Sequence, residues 1–394
     1  LSERGRPRPH DERGSADLPV RAPNGRLSTL TNKDDQGSVL SRYLDMQYRG
    51  TGDLAHVESD VPGHSDHTGT TDFTYDLRRQ LVREVSTRHL PGESTGYDRA
   101  YGYDNAGNPV SWRGATRTFN SDNQETTGSN WTYDGNGNPT SYGGTTCAYD
   151  VANHLTAFGS EFTAGGRRDG LRAWQQTGTT RKYYLYDGWR PVCELDNEGT
   201  VTRAWTFGAN GLVAYGQALD LYDWQGNAVN AWTESGTPVT GVVMDAWGQA
   251  DGADKFQHGY VNSGEDLMLC TYRHLDTNRG RWVTRDPIGY EGGVGLYGYV
   301  GNGPVLHADV TGRRHEDDDL PPALTLEEAQ LFSKISAQQA TWESRHPNWT
   351  NWLLSTLGAI LGTPGGWVGS GIGCSAGYVI ASGATDLRRQ IRDY

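Results

Sequence analysis

The sequence is short of the residues that build a thick aliphatic core. Of its 394 residues only 7 are Phe and 3 are Met, and hydrophobic residues make up 35% of the chain, below the usual globular share. Glycine is abundant, at 53 residues, as are Tyr, at 21, and Trp, at 13. Because Gly favours turns and amphipathic aromatic residues favour half-buried sheet faces, this composition predicts turn-rich β-structure.

Cysteine is scarce as well. The four cysteines are far apart and form no CxxC pair: Cys147, Cys193, Cys270 and Cys374. This spacing excludes a zinc ribbon and a dense disulfide framework, so isolated buried or half-buried thiols are expected. Motifs typical of nucleotide, zinc-protease and serine-hydrolase sites are missing, and we expect neither a cofactor nor a bound metal. His64 and His67 are close in sequence, and we interpret them as part of a surface loop.

An excess of positive charge is also lacking. The formal net charge is -13, which argues against sequence-independent binding to a phosphate backbone, so no nucleic-acid partner is expected for the β-region. The chain begins at Leu1 without an initiator Met or a signal peptide, and we expect it to be part of a longer or processed protein. Residues 1–26 are rich in Arg, Pro and Gly and are interpreted as a linker or the end of a preceding region.

A short pattern recurs between residues 27 and 265. Three copies read Tyr-Asp-x-x-Gly-Asn, at residues 103–108, 133–138 and 222–227. Degenerate copies begin at Tyr75-Asp76, Tyr149-Asp150, Tyr186-Asp187 and Met244-Asp245. We predict that a strand ends at each Tyr, that the Asp carboxylate accepts backbone N–H groups just downstream, and that Gly supplies the positive φ of a tight turn. Calcium ligation is the alternative for Asp, but each copy offers one carboxylate and calcium takes about six to eight oxygens.

Residues 266–312 contain a longer, ordered series of motifs. The series runs Gly280-Arg281-Trp282, Arg285-Asp286-Pro287-Ile288-Gly289, Gly292-Gly293, Leu296-Tyr297-Gly298-Tyr299, Asn302-Gly303-Pro304 and Asp309-Val310-Thr311-Gly312. In this order it closely resembles the repeat-associated core of RHS-repeat, or YD-repeat, proteins. The resemblance extends over residues 27–312 and leaves the tail outside.

The resemblance implies an all-β fold with a short α-helical C-terminal tail. A spiralling antiparallel sheet of β-hairpins would form part of a cocoon-like shell, with residues 27–265 as its repeats and residues 266–312 as an inward-turning plug. The C-terminal segment, residues 313–394, would sit inside the shell in the manner of a toxin. The partners implied are this segment and a secretion apparatus or immunity protein, and the location implied is secreted or on a bacterial cell surface.

The resemblance also implies a self-cleavage site. Many members of the family cut themselves just after the second Asp motif with a pair of carboxyl groups, as aspartyl proteases do. Matching the motifs places Asp286 and Asp309 in this pair, Arg285 beside the ionised carboxylate, and the cut near Gly312 and Arg313. Two carboxylates brought close do not both ionise, so the charged one would activate water and the protonated one would polarise the carbonyl.

Two positions depart from the family pattern at the second motif. Val310 replaces a Pro and leaves the backbone near the cut freer. Arg313 replaces an apolar residue, and its charge suits a buried pocket poorly. The alternative is that Asp286 and Asp309 cap turns in the plug and catalyse nothing.

The tail, residues 313–394, differs in composition from the rest. Thr325 and Glu328 form a capping-box pattern that predicts a helix, whereas residues 346–385 contain no Asp, Glu, Lys or Arg. Glycines recur there at every fourth position, which lets helix backbones touch, and a Pro-Gly-Gly break leaves apolar pieces shorter than the about 20 residues of a membrane span. A helical hairpin packed on protein, a membrane contact by residues 352–382, and disorder are the alternatives.

Two other functions stay open beside the encapsulating shell. Exposed rows of Tyr and Trp could stack on sugars, which would make the chain a cell-surface adhesion or carbohydrate-binding protein. The tail could be an enzymatic toxin, although it lacks the His, Lys and acid clusters expected of a nuclease or deaminase. We expect the shell, because closing a sheet of hairpins on itself removes exposed edges.

Overall fold

The structure is a computed structural model that describes residues 17–21, 26–34, 36–208, 211–215, 218–233, 238–249, 261–262, 267–305 and 307–313. Within these ranges every strand pairs antiparallel with the strand next to it in sequence, and the only helices are 3-10 turns at Gly289–Gly292 and Val300–Asn302. The all-β prediction is confirmed. No helix in the described part is long and apolar enough to cross a membrane. The predicted helical tail and its membrane contact lie outside the described residues, as does Cys374.

The strands form three sheets. The first contains β1 (Asp17–Arg21), β2 (Leu27–Lys33), β3 (Val39–Tyr48), β4 (Leu54–Asp60), β5 (Gly69–Tyr75), β6 (Leu81–Ser86), β7 (Tyr97–Tyr103), β8 (Pro109–Trp112) and β9 (Ala115–Thr116). The second contains β10 (Thr132–Tyr133), β11 (Pro139–Tyr142), β12 (Thr145–Tyr149), β13 (Leu155–Phe158), β14 (Phe162–Gly166), β15 (Arg172–Thr177), β16 (Thr180–Asp187), β17 (Arg190–Leu195), β18 (Val201–Gly208), β19 (Gly211–Tyr215), β20 (Ala218–Tyr222), β21 (Ala228–Thr233) and β22 (Pro238–Thr240). The third contains β23 (Val261–Asn262), β24 (Leu267–Cys270), β25 (Arg273–Asp276) and β26 (Arg281–Trp282). Strand β1 lies in the segment interpreted as a linker and pairs with β2.

The Tyr-Asp pattern forms one recurrent turn. At Asp104, carboxylate Oδ1 accepts the backbone N–H groups of Ala106 (2.9 Å) and Asn108 (2.8 Å). Oδ2 accepts the side-chain amide of Asn108 at 2.9 Å. The carbonyl of Asp104 accepts the N–H of Gly107, whose φ of 83° lies in the left-handed region. The carboxylate thus satisfies donors that have no strand partner, which explains the spacing of Asp, Gly and Asn.

The same acceptor geometry occurs at nine positions in the described chain. The acceptors are Asp34, Asp76, Asp104, Asn120, Asp134, Asp150, Asp196, Asp223 and Asp245. Four of them have no preceding Tyr: Asp245, which was predicted from its pair with Met244, and Asp34, Asn120 and Asp196, which were not predicted. The prediction for Asp187 was wrong: this residue pairs with Arg190 across a two-residue hairpin whose first residue, Gly188, has a φ of 60°.

The tyrosine of the pattern fastens the strand that it ends. The hydroxyls of Tyr75 and Tyr103 donate, each at 2.8 Å, to the backbone carbonyls of Leu54 and Leu81. Tyr48, which ends β3 without an Asp after it, donates in the same way to the carbonyl of Leu27 at 2.8 Å. Each of these carbonyls belongs to the first residue of the preceding strand, at the end of a ladder. A buried phenol needs such an acceptor, and the ring beside it covers the hydrophobic core. Where a Tyr precedes the Asp turn, as at Tyr75 and Tyr103, its hydroxyl therefore holds the end of its strand to the start of the strand before it.

The third sheet lies inside the molecule. All residues of β24 and β25 are buried, whereas an antiparallel sheet at a surface exposes every second residue. One hydrophobic cluster joins Trp112 of the first sheet to Leu275 and Trp282 of the third. Another joins Phe158 of the second sheet to Leu267. Both large sheets therefore cover the third sheet. The three described cysteines, Cys147, Cys193 and Cys270, are free and buried, as predicted.

A buried polar cluster joins the first sheet to the turn that follows β22. Glu84 on β6 accepts the Tyr97 hydroxyl at 2.7 Å with Oε1 and the N–H of Ala246 at 2.8 Å with Oε2. Beside it, Arg113 forms a buried ion pair with Asp245 at 2.5 Å. Burial, and after it the charge of Asp245, raise the pKa of Glu84 above its ordinary value. The turn is thus held to the first sheet by groups that have no access to water.

The Asp turn can be tested by Asp104→Ala, which removes an acceptor of three hydrogen bonds. We expect the free energy of unfolding, measured by urea denaturation, to fall by about 1–3 kcal/mol, because two backbone donors lose their partner. The matched control is Asp187→Ala, in a Tyr-Asp pair without this turn, which should change the value by no more than about 0.5 kcal/mol. Equal losses in both variants would contradict the role given to the turn.

Candidate self-cleavage site

Repeat turns hold the segment that follows β26. The Tyr297 hydroxyl donates to the carbonyl of Gly137 at 2.5 Å, and the Asn302 side chain donates to the carbonyl of Gly107 at 2.9 Å. Asn123, in the turn between them, donates to the carbonyl of Val294 at 3.1 Å. Three successive repeat turns, at Asp104, Asn120 and Asp134, thus fix the chain between the two motifs that carry Asp286 and Asp309.

The candidate site is centred on Arg273, at the start of β25. Its side chain is 3% exposed, and its guanidinium carbon lies 4.2 Å from the ring centroid of Trp282. Its Nη2 is 2.9 Å from Oδ2 of Asp286 and 3.4 Å from Oδ2 of Asp309. One buried cation therefore brings together the two carboxylates that the sequence motifs place far apart in the chain.

Arg285, the cation expected beside the carboxylates, occupies another place. Its Nη1 lies 3.4 Å from the backbone carbonyl of Asn136, in a repeat turn, and this contact is exposed. A Cβ atom on Gly137 would overlap the Arg285 side chain, so this glycine is required by close packing as well as by its φ of 85°. In the structure the cation beside Asp286 and Asp309 is Arg273, and the prediction of Arg285 at this place was wrong.

Burial raises the pKa of both carboxyl groups of the pair. The Asp309 side chain is 4% exposed and the Asp286 side chain is 11% exposed. Arg273 is the largest opposing influence on each group, yet the loss of hydration outweighs it, and both pKa values lie above the ordinary value. Raised pKa values in two neighbouring carboxyl groups favour a state in which one of them keeps its proton.

The peptide bond between Gly312 and Arg313 lies against this group. Arg273 Nε donates to the Gly312 carbonyl oxygen. On the other side of the bond, Oδ1 of Asp309 accepts the N–H of Gly312 at 2.7 Å and the N–H of Arg313 at 3.3 Å. The carbonyl oxygen of this bond therefore faces a cation, and a carboxyl oxygen lies within hydrogen-bond distance of its amide nitrogen.

The turn between β24 and β25 holds the residues around this bond. The hydroxyl of Thr271 donates to the carbonyl of Val310 at 3.2 Å, and the N–H of Tyr272 donates to the carbonyl of Thr311 at 3.0 Å. The guanidinium carbon of Arg313 lies 3.5 Å from the ring centroid of Tyr272, so its charge rests on an aromatic face. These contacts fix the backbone around Val310, where the family pattern has a proline, and they accommodate the charge of Arg313 after Gly312.

Gly312 has no room for a side chain. Its φ is 73°, and a Cβ atom would lie 2.8 Å from the carbonyl oxygen of Cys270 and 3.0 Å from the backbone nitrogen of Arg273. Glycine is thus required for the chain to pass this close to β24 and β25. The thiol of Cys270 is an unsuitable nucleophile here, because burial, and then the neighbouring Asp309, raise its pKa well above the ordinary value.

Sequence reasoning missed Arg273. It belongs to a hairpin that precedes the first Asp motif, and only the folded sheet shows that its guanidinium reaches both motifs. The sequence does contain a hint, since Arg273 sits between the apolar run of β24 and Leu275. An arginine at a buried position needs carboxylate partners, and Asp286 and Asp309 are among the few that the plug offers.

Comparisons with known proteins agree with this fold. No family model matches the sequence. A curated protein of Dickeya dadantii, "Probable deoxyribonuclease RhsA", is 27% identical over 234 residues, covering 51% of this chain and 16% of RhsA. The crystal structure of TcdB2-TccC3 matches with a TM-score of 0.60 and 17% identity, over 75% of this chain and 18% of that one. The Tc holotoxin pore of Photorhabdus luminescens, with a mutated TccC3, gives 0.57 and 14%, over 79% and 19%.

These matches show an RHS-type shell fold for the described sheets and support an RHS-type protein. The chain spans less than a fifth of the length of each of these three proteins. The structural matches have low sequence identity and therefore show the fold alone.

The role of Arg273 can be tested by Arg273→Met, which keeps the length of the side chain and removes its charge. We expect a loss of about 3–5 kcal/mol in the free energy of unfolding, because two buried carboxyl groups lose their counter-charge. Their pKa values would rise further in the folded state, so stability should fall as the pH rises from about 5 to about 8.

Arg285→Met is the matched control for urea denaturation at both pH values. Its charge contacts only an exposed carbonyl, so the change should stay within about 1 kcal/mol and should not depend on pH. A larger loss in Arg285→Met than in Arg273→Met would restore Arg285 as the cation of the pair.

Proposed function

We propose that this chain is part of a bacterial RHS-type shell that encloses and presents its own C-terminal segment, and that it cuts the peptide bond between Gly312 and Arg313. One observation carries the proposal: Arg273 contacts Asp286, Asp309 and the Gly312 carbonyl at the same time. If Asp286 and Asp309 only capped turns, they would not need to share a buried cation that also contacts the carbonyl of Gly312.

The architecture supports the enclosing role. Two long meandering sheets cover a buried third sheet, and the described chain leads from there to Arg313. In this proposal residues 27–265 are the wall, residues 266–312 are the plug, and residues 313–394 are the enclosed segment. The similar TccC3 is named in structures of toxin complexes, and RhsA is named as a deoxyribonuclease, so partners in a toxin assembly and a secreted or cell-surface location fit the same proposal.

The described aromatic residues do not favour the carbohydrate-binding alternative. Tyr101, Trp112 and Trp247 are buried and pack on one another, with ring centroids 4.8 to 5.9 Å apart. Among the most exposed large hydrophobic side chains of the described part, the one aromatic residue is Tyr290. Within the described residues the tyrosines and tryptophans thus contribute to the core of the wall and do not form an open row for stacking on sugars.

The geometry supports hydrolysis by a pair of carboxyl groups. Ionised Asp286, the more accessible of the two, takes a proton from a water molecule, and the water oxygen forms a bond to the carbonyl carbon of Gly312. Arg273 Nε stabilises the negative charge that develops on the carbonyl oxygen. In the structure Asp309 Oδ1 accepts the N–H of Arg313 at 3.3 Å. Once the carbonyl carbon becomes tetrahedral, this nitrogen gains a lone pair, and the protonated carboxyl group of Asp309 gives its proton to it as the C–N bond breaks. One water is consumed, and the proton on Asp286 replaces the one that Asp309 gave away.

Intact-mass analysis of the full chain tests the cut. The wild-type chain should yield two products, one ending at Gly312 and one beginning at Arg313, while Asp286→Asn and Asp309→Asn should remain intact. Loss of the base or the acid should slow cleavage by at least about 100-fold. If the shell holds its segment, the two products should co-elute on size exclusion under native conditions.

The control for this experiment is Glu291→Gln, an exposed carboxylate in the same plug, which should be cut as the wild type is. A wild-type chain that stays at full length would remove self-cleavage from the proposal and leave the two carboxylates as turn caps. Separate elution of the two products after cleavage would instead count against enclosure.

A second test compares two of the glycines of positive φ in this region, Gly312 and Gly289. Gly312→Ala places a methyl group against β24 and β25 and should displace the scissile bond, slowing cleavage by about 100-fold. Gly289→Ala introduces the same kind of backbone strain, at a φ of 65°, but its Cβ meets nothing within 4 Å. It should lower stability slightly and keep the cleavage rate near that of the wild type. Equal rates in the two variants would argue against a bond held by close contact.

A further inference from the structure

The loop between β4 and β5 brings two histidines and an aspartate together. Tight turns wind this loop, since the N–H of His64 donates to the carbonyl of Val61 at 3.0 Å and the N–H of His67 donates to the carbonyl of His64 at 3.2 Å. The Thr68 hydroxyl also donates to the His64 carbonyl, at 3.1 Å. The imidazole rings of His64 and His67 consequently lie on one side, with centroids 5.5 Å apart. Ligand atoms of His64, Asp66 and His67 lie within 4.8 Å of one another.

The orientation of His67 is the informative feature. Its Nε2 lies 2.9 Å from the backbone carbonyl of Gly241, and since a carbonyl only accepts, Nε2 carries a proton. Its Nδ1 is buried, makes no hydrogen bond, and lies 3.2 Å from Oδ1 of Asp66. In the neutral ring this places a lone pair against a carboxylate, which is unfavourable unless a cation lies near both. A histidine that donates one ring N–H to a backbone carbonyl and presents the other nitrogen has the orientation of a metal ligand.

We propose that His64, Asp66 and His67 bind a divalent transition-metal ion, with Zn²⁺ as the best match. Two imidazoles and one carboxylate are a donor set that suits zinc and leaves a fourth position for water. Calcium is a poor match, because it takes oxygen ligands. Asp66 is exposed and His64 is partly exposed, so both side chains have room to rotate onto an ion held at His67.

The ion would join two sheets of the wall. The three ligands belong to a loop of the first sheet, whereas Gly241 directly follows β22 of the second sheet. Binding would fix the tautomer of His67 and with it the hydrogen bond to Gly241. The ion therefore acts as a clamp at this seam, near the buried cluster of Glu84 and Asp245, and does not take part in cleavage at Gly312.

Calorimetric titration of the chelator-treated full chain with ZnCl₂ tests the site. One ion should bind per chain, and the melting temperature should rise on binding. His64→Gln and Asp66→Asn should each weaken binding by about tenfold or more and reduce the rise in melting temperature. CaCl₂ should have no such effect.

His154→Gln is the matched control, since His154 also lies beside a single carboxylate, Asp150, at 3.0 Å. It should bind Zn²⁺ as the wild type does. Circular dichroism of each variant checks that it folds. Zinc affinity that persists in a His64→Gln, His67→Gln double variant would place the ion elsewhere and overturn the proposal. Absence of binding would also overturn it.

Discussion

The carboxylate that accepts backbone N–H groups two and four residues downstream is the interaction on which the structure depends. It reverses the chain within a few residues, and together with two-residue hairpins such as the one between Asp187 and Arg190 it lets consecutive strands pair in sequence order through sheets of nine and thirteen strands. It also sets the form of the turn, in which Gly107 and Gly137 present their backbone carbonyls to Asn302 and Tyr297. The wall and the docking points for the plug thus arise from one local rule.

The candidate site follows from that docking. Asp286 lies before the segment that the wall turns hold, and Asp309 lies after it, so fixing this segment fixes the path between the two carboxylates. Arg273 lies on β25 of the third sheet, which both large sheets cover. Because the guanidinium and the Asp309 carboxyl are almost wholly shielded from water, their charges interact more strongly than at the surface. The arrangement of Arg273, Asp286 and Asp309 therefore depends on the wall, the plug and the buried sheet together.

The sequence predicted what is local and missed what is distant. Tyr-Asp with Gly three residues after the Asp is sufficient to predict a turn, because all of its hydrogen bonds lie within five residues. Asp187 fails this rule since Gly188 follows it directly and permits a two-residue hairpin instead. The motifs also indicated Asp286 and Asp309 as a candidate pair, but they did not indicate Arg273. Arg285 is the chain neighbour of Asp286, yet adjacent residues in extended chain point to opposite sides, so proximity in the chain does not show which cation contacts the carboxylate.

Turn capping and catalysis are compatible roles for Asp309. Like the wall aspartates, it uses Oδ1 to accept two downstream N–H groups, here those of Gly312 and Arg313. In the wall turn at Asp104, Oδ2 accepts the side-chain amide of Asn108, whereas Oδ2 of Asp309 faces the guanidinium of Arg273. At Asp309 the neutral amide of the wall turn is thus replaced by the buried guanidinium of Arg273, which also contacts Asp286. The residue that caps this turn therefore belongs to a pair of ionisable groups beside a peptide bond. A related turn, in which the accepted N–H groups lie three and four residues downstream, thus holds at Asp309 the bond that we propose is cut.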